Sequence, residues 1–263
     1  MEHGKSAGKR RGGKEKKTEK PERKHDEAVR LNRFISNSGI CSRREADELI
    51  RKGHISVNGK VVTDLSTRVT RDDLVKYKNK SLSAEKKRYV LLNKPKGYVT
   101  TLRDPHADHT VLELVRNACK ERIYPVGRLD KDTTGVLLFT NDGELARKLT
   151  HPGCNRKKIY HVFLDKPVTR KDIESVAEGT DIEGEIIIPD AVAYPDEEDK
   201  SQIGIELHSG RNRVVRRIFE KYGYRIRKLD RVYFAGLTKL NLPRGRWRFL
   251  TEKEINMLKR NSF

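Results

Sequence analysis

Asp130 is the residue whose setting most suggests chemistry. It stands in Gly127-Arg128-Leu129-Asp130-Lys131, a single carboxylate between two cations. The stretch runs on into Val136-Leu137-Leu138-Phe139, an apolar run bounded by turn residues that reads as a buried strand. Asn141-Asp142-Gly143 ends that run, and Asp142 is placed to cap a short helix over residues 144–149. A carboxylate flanked by cations and followed by a core strand is a group held rigidly, as a catalytic acid must be. The plain alternative is an Asp that caps a turn, a common use of this residue. Two other residues share this ambiguity. Tyr160 follows the basic triplet Arg156-Lys157-Lys158 in an alternating strand, where a Tyr is also ordinary core filler. Arg216 flanks a helix whose apolar stripe is Val215, Ile218, Phe219 and Tyr222, where an arginine can simply be solvated. No phosphate loop, dinucleotide fingerprint or metal-ligand cluster accompanies them, and His151, His161 and His208 share no ligand spacing. Chemistry at these residues is therefore expected to use neither metal nor cofactor.

The 263-residue chain is 37% charged, with a formal net charge of +20 and a pI near 9.9. That field favours a polyanion, and nucleic acid is the default partner. No apolar run approaches the 18 or so residues of a membrane span, and no apolar stretch follows the basic amino terminus, as a secretory signal requires. Cys41, Cys119 and Cys154 are odd in number and widely spaced, which reads as reduced thiols in a cytoplasmic protein. Residues 1–28 hold ten Lys or Arg and six Asp or Glu, a basic arm expected to be disordered. The arm contributes only about +4 of the charge, so the folded part must carry most of it.

The elements that must position these groups fall into two units. Over residues 29–76, Leu31, Phe34 and Ile35 have helical spacing, and Gly39 stops the helix. Ser42-Arg43-Arg44-Glu45 is a capping box opening a second helix, and residues 54–62 read as a hairpin over Asn58-Gly59. Arg30, Arg33, Arg43, Arg44, Arg51, Lys52 and Lys60 crowd its polar faces with nearly uniform sign, which favours phosphate binding over a merely solvated surface. Residues 77–88 read as a charged linker. From residue 89, Tyr89 to Asn93 and Val99 to Thr101 are expected to form a hairpin around Pro95 and Gly97, with a helix over 110–119. A helix over 169–178, strands over 181–194 and 202–207, a solvated acidic loop over 195–199, strands over 229–235 and 247–250, and a last capped helix from Thr251 complete the unit.

These residues together resemble a known family. Gly127 to Pro152 is similar to the catalytic motif of the pseudouridine synthases, in the RsuA/RluB branch that acts on small- and large-subunit ribosomal RNA. Residues 31–62 resemble the small alpha-L RNA-binding module of ribosomal protein S-four, and Tyr89 to Thr101 resembles the family's first, mainly architectural motif. The resemblance implies an α+β fold: the alpha-L domain, then a catalytic domain over 89–263 with a mostly antiparallel mixed sheet and flanking helices. It makes Asp130 the nucleophile, Tyr160 the ring stacked on the target base, and Arg216 the cation paired with the carboxylate. It also implies isomerisation of one uridine, flipped out of the RNA stack, without cofactor. Asp130 would attack the sugar, attack the base, or remove a sugar proton to give a glycal; in the last case Tyr160 can also carry a proton. Arg128, Arg211 and Arg213 are expected to contact RNA. Val214 stands where the family commonly has Gln, so any hydrogen bond that Gln makes is lost or replaced. The expected substrate is ribosomal RNA, with a large-subunit uridine as the expected target, and the expected state is a monomer. The same chemistry on transfer RNA, a non-catalytic assembly factor, and a magnesium-dependent aspartyl-phosphate enzyme built on Asp130 and Asp132 are the competing readings.

Overall fold

A computed structural model describes Met1, Gly4, residues 28–101 and residues 108–260. The disordered arm expected over 1–28 lies outside these residues, apart from three positions.

Leu31 and Ile35 recur on one helical face, and Ala46 and Ile50 on another; each pair is fully buried. They close a small domain of β1 (Val29–Arg30), α1 (Leu31–Asn37), α2 (Arg43–Arg51), β2 (Ile55–Val57), β3 (Lys60–Val61), β4 (Arg68–Val69), β5 (Val75–Tyr77) and β6 (Lys80–Ser81). The capping box forms: Glu45 N–H donates to Ser42 Oγ at 3.2 Å and Ser42 N–H to Glu45 Oε2 at 2.7 Å. β2 and β3 turn over Asn58 and Gly59, both at positive φ. The linker expected over 77–88 is corrected at its start. Lys78 and Asn79 form a second positive-φ turn, β6 pairs with β5, and Leu82 packs on the domain's core.

The larger domain contains β7 (Tyr89–Lys94), α3 (Val111–Val115), β8 (Tyr124–Pro125), β9 (Thr133–Thr140), α4 (Gly143–Thr150), β10 (Lys158–Leu164), α5 (Arg170–Glu178), β11 (Thr180–Ile182) and β12 (Glu185–Ile187). It continues with β13 (Ala191–Ala193), β14 (Gln202–Leu207), α6 (Val214–Lys221), β15 (Ile226–Phe234), β16 (Leu237–Thr238), β17 (Trp247–Phe249) and α7 (Glu252–Arg260). The main sheet has the order β13-β14-β10-β15-β9-β7-β17. Neighbours are antiparallel except β9 and β15, which run parallel at its middle. β9 is buried on both faces: Val136 and Leu138 pack with Leu145, Leu149 and Leu258, whereas Leu137 and Phe139 pack with Val111 and Val115. Asp142 caps α4 through its bond from Leu145 N–H.

One expected hairpin and one expected strand are corrected. Val99 to Thr101 does not pair with β7, whose edges are taken by β9 and β17; Val99 makes only an isolated bridge to Thr110. The single strand expected over 181–194 is the β11–β12 hairpin followed by β13. The turn at Glu183 and Gly184, both at positive φ, breaks it. The helix expected over 110–119 is shorter, ending at Val115.

The parallel junction depends on a glycine. A Cβ on Gly135 (φ +107°) would lie 2.1 Å from the Arg231 carbonyl oxygen and 2.5 Å from Asp230 Oδ1, so only a bare Cα lets β9 approach β15. Beside it, Asp230 is nearly buried and receives Arg244 Nη2 at 2.8 Å and the Lys239 ammonium. Arg244 Nη1 also donates to Asn93 Oδ1 at 2.7 Å, tying β15 to β7. Burial alone would raise the Asp230 pKa, but these cationic donors hold it below its ordinary 3.8. A depressed folded-state pKa gives stability that is present above the unfolded value and lost as pH falls through the folded one. Asp230→Asn is therefore expected to cost about 2–4 kcal/mol at pH 7. The gap from wild type should shrink below about pH 4. Urea midpoints at both pH values check this; a gap that stays constant would show that the ion pair is not its source.

Candidate active site

Asp130 sits in the loop between β8 and β9, and the loop is fixed through its main chain. The Asp130 carbonyl accepts from Thr133 N–H at 3.0 Å and from the Lys94 ammonium at 3.0 Å. Gly97 N–H donates to Lys131 O at 2.9 Å, and the Thr100 hydroxyl donates to Leu129 O at 2.7 Å. Lys94, at the end of β7, is fully buried and also donates to the carbonyls of Pro95, Lys131 and Thr133. Burial pushes its pKa down to about 8, while the charges of Asp130 and Asp132 oppose that shift. The main-chain cage leaves the Asp130 carboxylate free to face the cleft, 35% exposed.

Arg216 of α6 is brought to this carboxylate, its Nε 3.7 Å from Asp130 Oδ2. Its side chain is only 11% exposed, and Nε is buried without a hydrogen-bond partner. The separation is an ion pair too long for a hydrogen bond, so carboxylate and guanidinium have room to close on each other. Arg213, expected to contact RNA, also lies 3.7 Å from Asp130 Oδ2. Its left-handed backbone (φ 52°) at the start of α6 is a conformation that costs a non-glycine residue about 1–2 kcal/mol. Val214, in the position of the absent Gln, is buried with Ile218 and Phe219.

Tyr160 lies on β10, opposite Arg231 of β15 and Ile205 of β14. It lines a cleft of about 760 Å³ together with Arg128, Asp130, Arg213 and Arg231. Arg231 was not singled out by sequence reasoning, yet it is 3% exposed and anchors the cleft floor. Its Nε and Nη2 both donate to Val136 O, at 2.9 and 2.7 Å, and its guanidinium stands 4.6 Å from the Phe234 ring. Burial lowers its pKa, with Tyr160 beside it acting in the opposite sense. Lys158, two residues before Tyr160, donates to the carbonyls of Arg156, His208 and Ser209, clipping β10 to the loop that leads into α6. Burial pushes Lys158 down to about 8 as well.

The remaining candidates divide. Arg128 is exposed at the cleft, and Arg30, Arg44, Arg51, Lys52 and Lys60 are exposed on the small domain. Arg211 is paired with Glu185. Arg33 reaches Glu144 of α4 at 3.4 Å, and Arg43 lies beside Gly143 at the start of the same helix, so both meet the larger domain. Among the described residues, no group of three or more His, Cys, Asp or Glu is arranged to hold a metal.

Comparison with known proteins joins this geometry to a family. Residues 88–221 match the RNA pseudouridylate synthase family and residues 29–75 match the S4 domain. The chain is 37% identical to the ribosomal large subunit pseudouridine synthase B of Bacillus subtilis (strain 168), over 88% of this chain and 95% of that protein. It is 37% identical to the dual-specificity RNA pseudouridine synthase RluF of Escherichia coli (strain K12), over 88% and 78%. A solved pseudouridylate synthase structure superposes with a TM-score of 0.63 at 28% identity, covering 88% of this chain and 99% of that one. With an S4 domain leading into a mixed sheet and flanking helices, the chain belongs to the RNA pseudouridine synthases, in their RsuA/RluB branch.

Proposed function

We propose that this enzyme isomerises one uridine of large-subunit ribosomal RNA to pseudouridine, with Asp130 as the nucleophile acting on a flipped-out base. The observation that carries this reading is the meeting of Asp130 with the mostly buried Arg216 at a cleft also lined by Tyr160. The reaction breaks the glycosidic bond between C1′ and N1, turns the uracil, and joins C1′ to C5. C5 gives up a proton and N1 gains one, so no redox partner or water is consumed. Asp130 holds the reacting sugar or base between these steps, Arg216 balances its changing charge, and Tyr160 stacks on the displaced uracil. Flipping costs a few kcal/mol, and one stacked base returns about 1–3 kcal/mol of it. Arg30, Arg44, Arg51, Lys52 and Lys60 of the small domain supply affinity through phosphates, and Arg128 guides the strand into the cleft. We place the enzyme in the cytoplasm, acting as a monomer.

The name of the Bacillus subtilis relative favours large-subunit RNA. The name of the Escherichia coli relative gives dual specificity without naming the RNAs, and transfer RNA, open to the same chemistry, is the second reading. Release of tritium from C5-labelled uridine, measured on transcripts of both ribosomal RNAs and on transfer RNA, decides between them. Turnover on the large-subunit transcript alone is the expected result; turnover confined to transfer RNA would move the substrate there. Within the same assay Arg216→Lys is expected to lower kcat about 10²–10³-fold, because an ammonium cannot reproduce the guanidinium facing Asp130. An unchanged kcat would remove Arg216 from the reaction.

A further inference from the structure

Ile186 and Ile188 are 67% and 64% exposed, and both line the cleft that holds Asp130 and Tyr160. The walls around them carry Arg128, Arg156, Arg211 and Arg213. Isoleucine does nothing for a phosphate, so two of them in a cationic cleft require another explanation. Their placement is built, not incidental. Ile187 between them is buried in the core with Ile182 and Val176, and strand alternation throws its neighbours to the opposite face. Both side chains rest on the bare Cα of Gly179. A Cβ there would lie 2.7 Å from Ile186 Cγ2 and 3.0 Å from Ile188 Cγ1. The hairpin that bears them is tied to α6 and its leading loop by ion pairs of Glu183 with Arg217 and Glu185 with Arg211. The result is a fixed apolar ledge inside a site of positive charge.

The apolar part of an RNA is the face of its bases, hidden in a duplex and open in a loop or beside an extruded nucleotide. Proteins that hold distorted nucleic acid commonly set aliphatic side chains against such faces. We propose that Ile186 and Ile188 form a ledge that packs on an unpaired nucleobase next to the target uridine; this rests on the RNA-modifying reading above. Arg128 and Arg213, both exposed on the same walls, favour RNA over an apolar protein surface as the occupant, because they would neutralise the adjoining phosphates.

The test uses the full chain carrying Ile186→Ser and Ile188→Ser, assayed by tritium release on a C5-labelled large-subunit transcript. KM is expected to rise about tenfold and kcat to change less than about threefold. Leu240→Ser, a 77% exposed residue away from the cleft, should change neither. A benzoylphenylalanine at position 188 should cross-link to a nucleotide neighbouring the modified uridine, which provides an answer even if the double variant folds poorly. Unchanged KM, or cross-links to distant nucleotides or to a second copy of the chain, would overturn the ledge. If wild type released tritium from no RNA, the functional reading would fall first and the ledge with it.

Discussion

A strain whose sole copy of the gene carries Asp130→Asn is expected to lack pseudouridine at one position of its large-subunit ribosomal RNA, which wild-type complementation restores. In vitro the rate should fall on the order of 10⁴-fold or more, since an amide can neither act as the nucleophile nor take up a proton. The loss should be purely chemical. Among the described residues, the Asp130 side chain makes no hydrogen bond and its nearest partners are the 3.7 Å ion pairs, while the loop is held by backbone carbonyls that Asn keeps. The variant should therefore unfold within about 1 kcal/mol of wild type. Mapping pseudouridine across ribosomal and transfer RNA checks both halves. Retention of every pseudouridine by the Asn strain would mean that Asp130 is not the nucleophile, and loss of folding would mean that its carboxylate is structural.

The second large effect lies behind the carboxylate. Lys94→Met is expected to destabilise the larger domain by about 3–5 kcal/mol and to lower turnover with it. Four carbonyls, those of Pro95, Asp130, Lys131 and Thr133, share this one ammonium. Two terms oppose each other here. Burial penalises the charge, which is why the pKa lies near 8, and removing the charge relieves that penalty. Stranding several buried acceptors costs about 1–3 kcal/mol each, and that outweighs the relief. Linkage supplies a second signature. The folded lysine releases its proton near pH 8 and the unfolded one near 10.5, so unfolding takes up a proton between them. The stability of wild type relative to Lys94→Met should then grow as pH rises through that window. Denaturant titrations at pH 7 and pH 9.5 measure both effects; equal stability of the two proteins would remove Lys94 from the support of the loop.

The legible parts of this molecule were the local ones. The capping boxes at Ser42 and Thr251, the Asp142 cap and the Asn58-Gly59 turn each depend on residues within four positions of one another, and each is present. Asp130, Tyr160 and Arg216 were proposed from motif resemblance; the fold places Asp130 and Tyr160 in one cleft and Arg216 3.7 Å from the Asp130 carboxylate. Lys94 and Arg231 were missed because their partners are main-chain carbonyls distant in sequence, which leave no trace in residue type. The turn that splits residues 181–194 was missed because its first position is Glu183, not the usual Asn or Asp. The pairing of β7 could not be read locally either, since its partners β9 and β17 lie about 45 and 155 residues downstream. The small domain's charge was legible, but not all of its partners were: Arg33 and Arg43, though still solvent-accessible, reach the start of α4.

The parallel junction of β9 with β15 also governs how the protein comes into being. Asp130 precedes β9, Tyr160 lies on β10, and β15 stands between those two strands. During synthesis, β7, β8 and β9 can zip together early, and β10 can pair with β14 once the latter emerges. The two halves stay unjoined until residues 226–234 leave the ribosome. Before then β9 and β10 present facing unpaired edges, which invite pairing with other chains. Closure over so long a separation is slow compared with local pairing. Asp130 and Tyr160 are thus brought together by the arrival of a strand that carries neither, and a nascent chain halted short of β15 has not yet formed the cleft that holds them both.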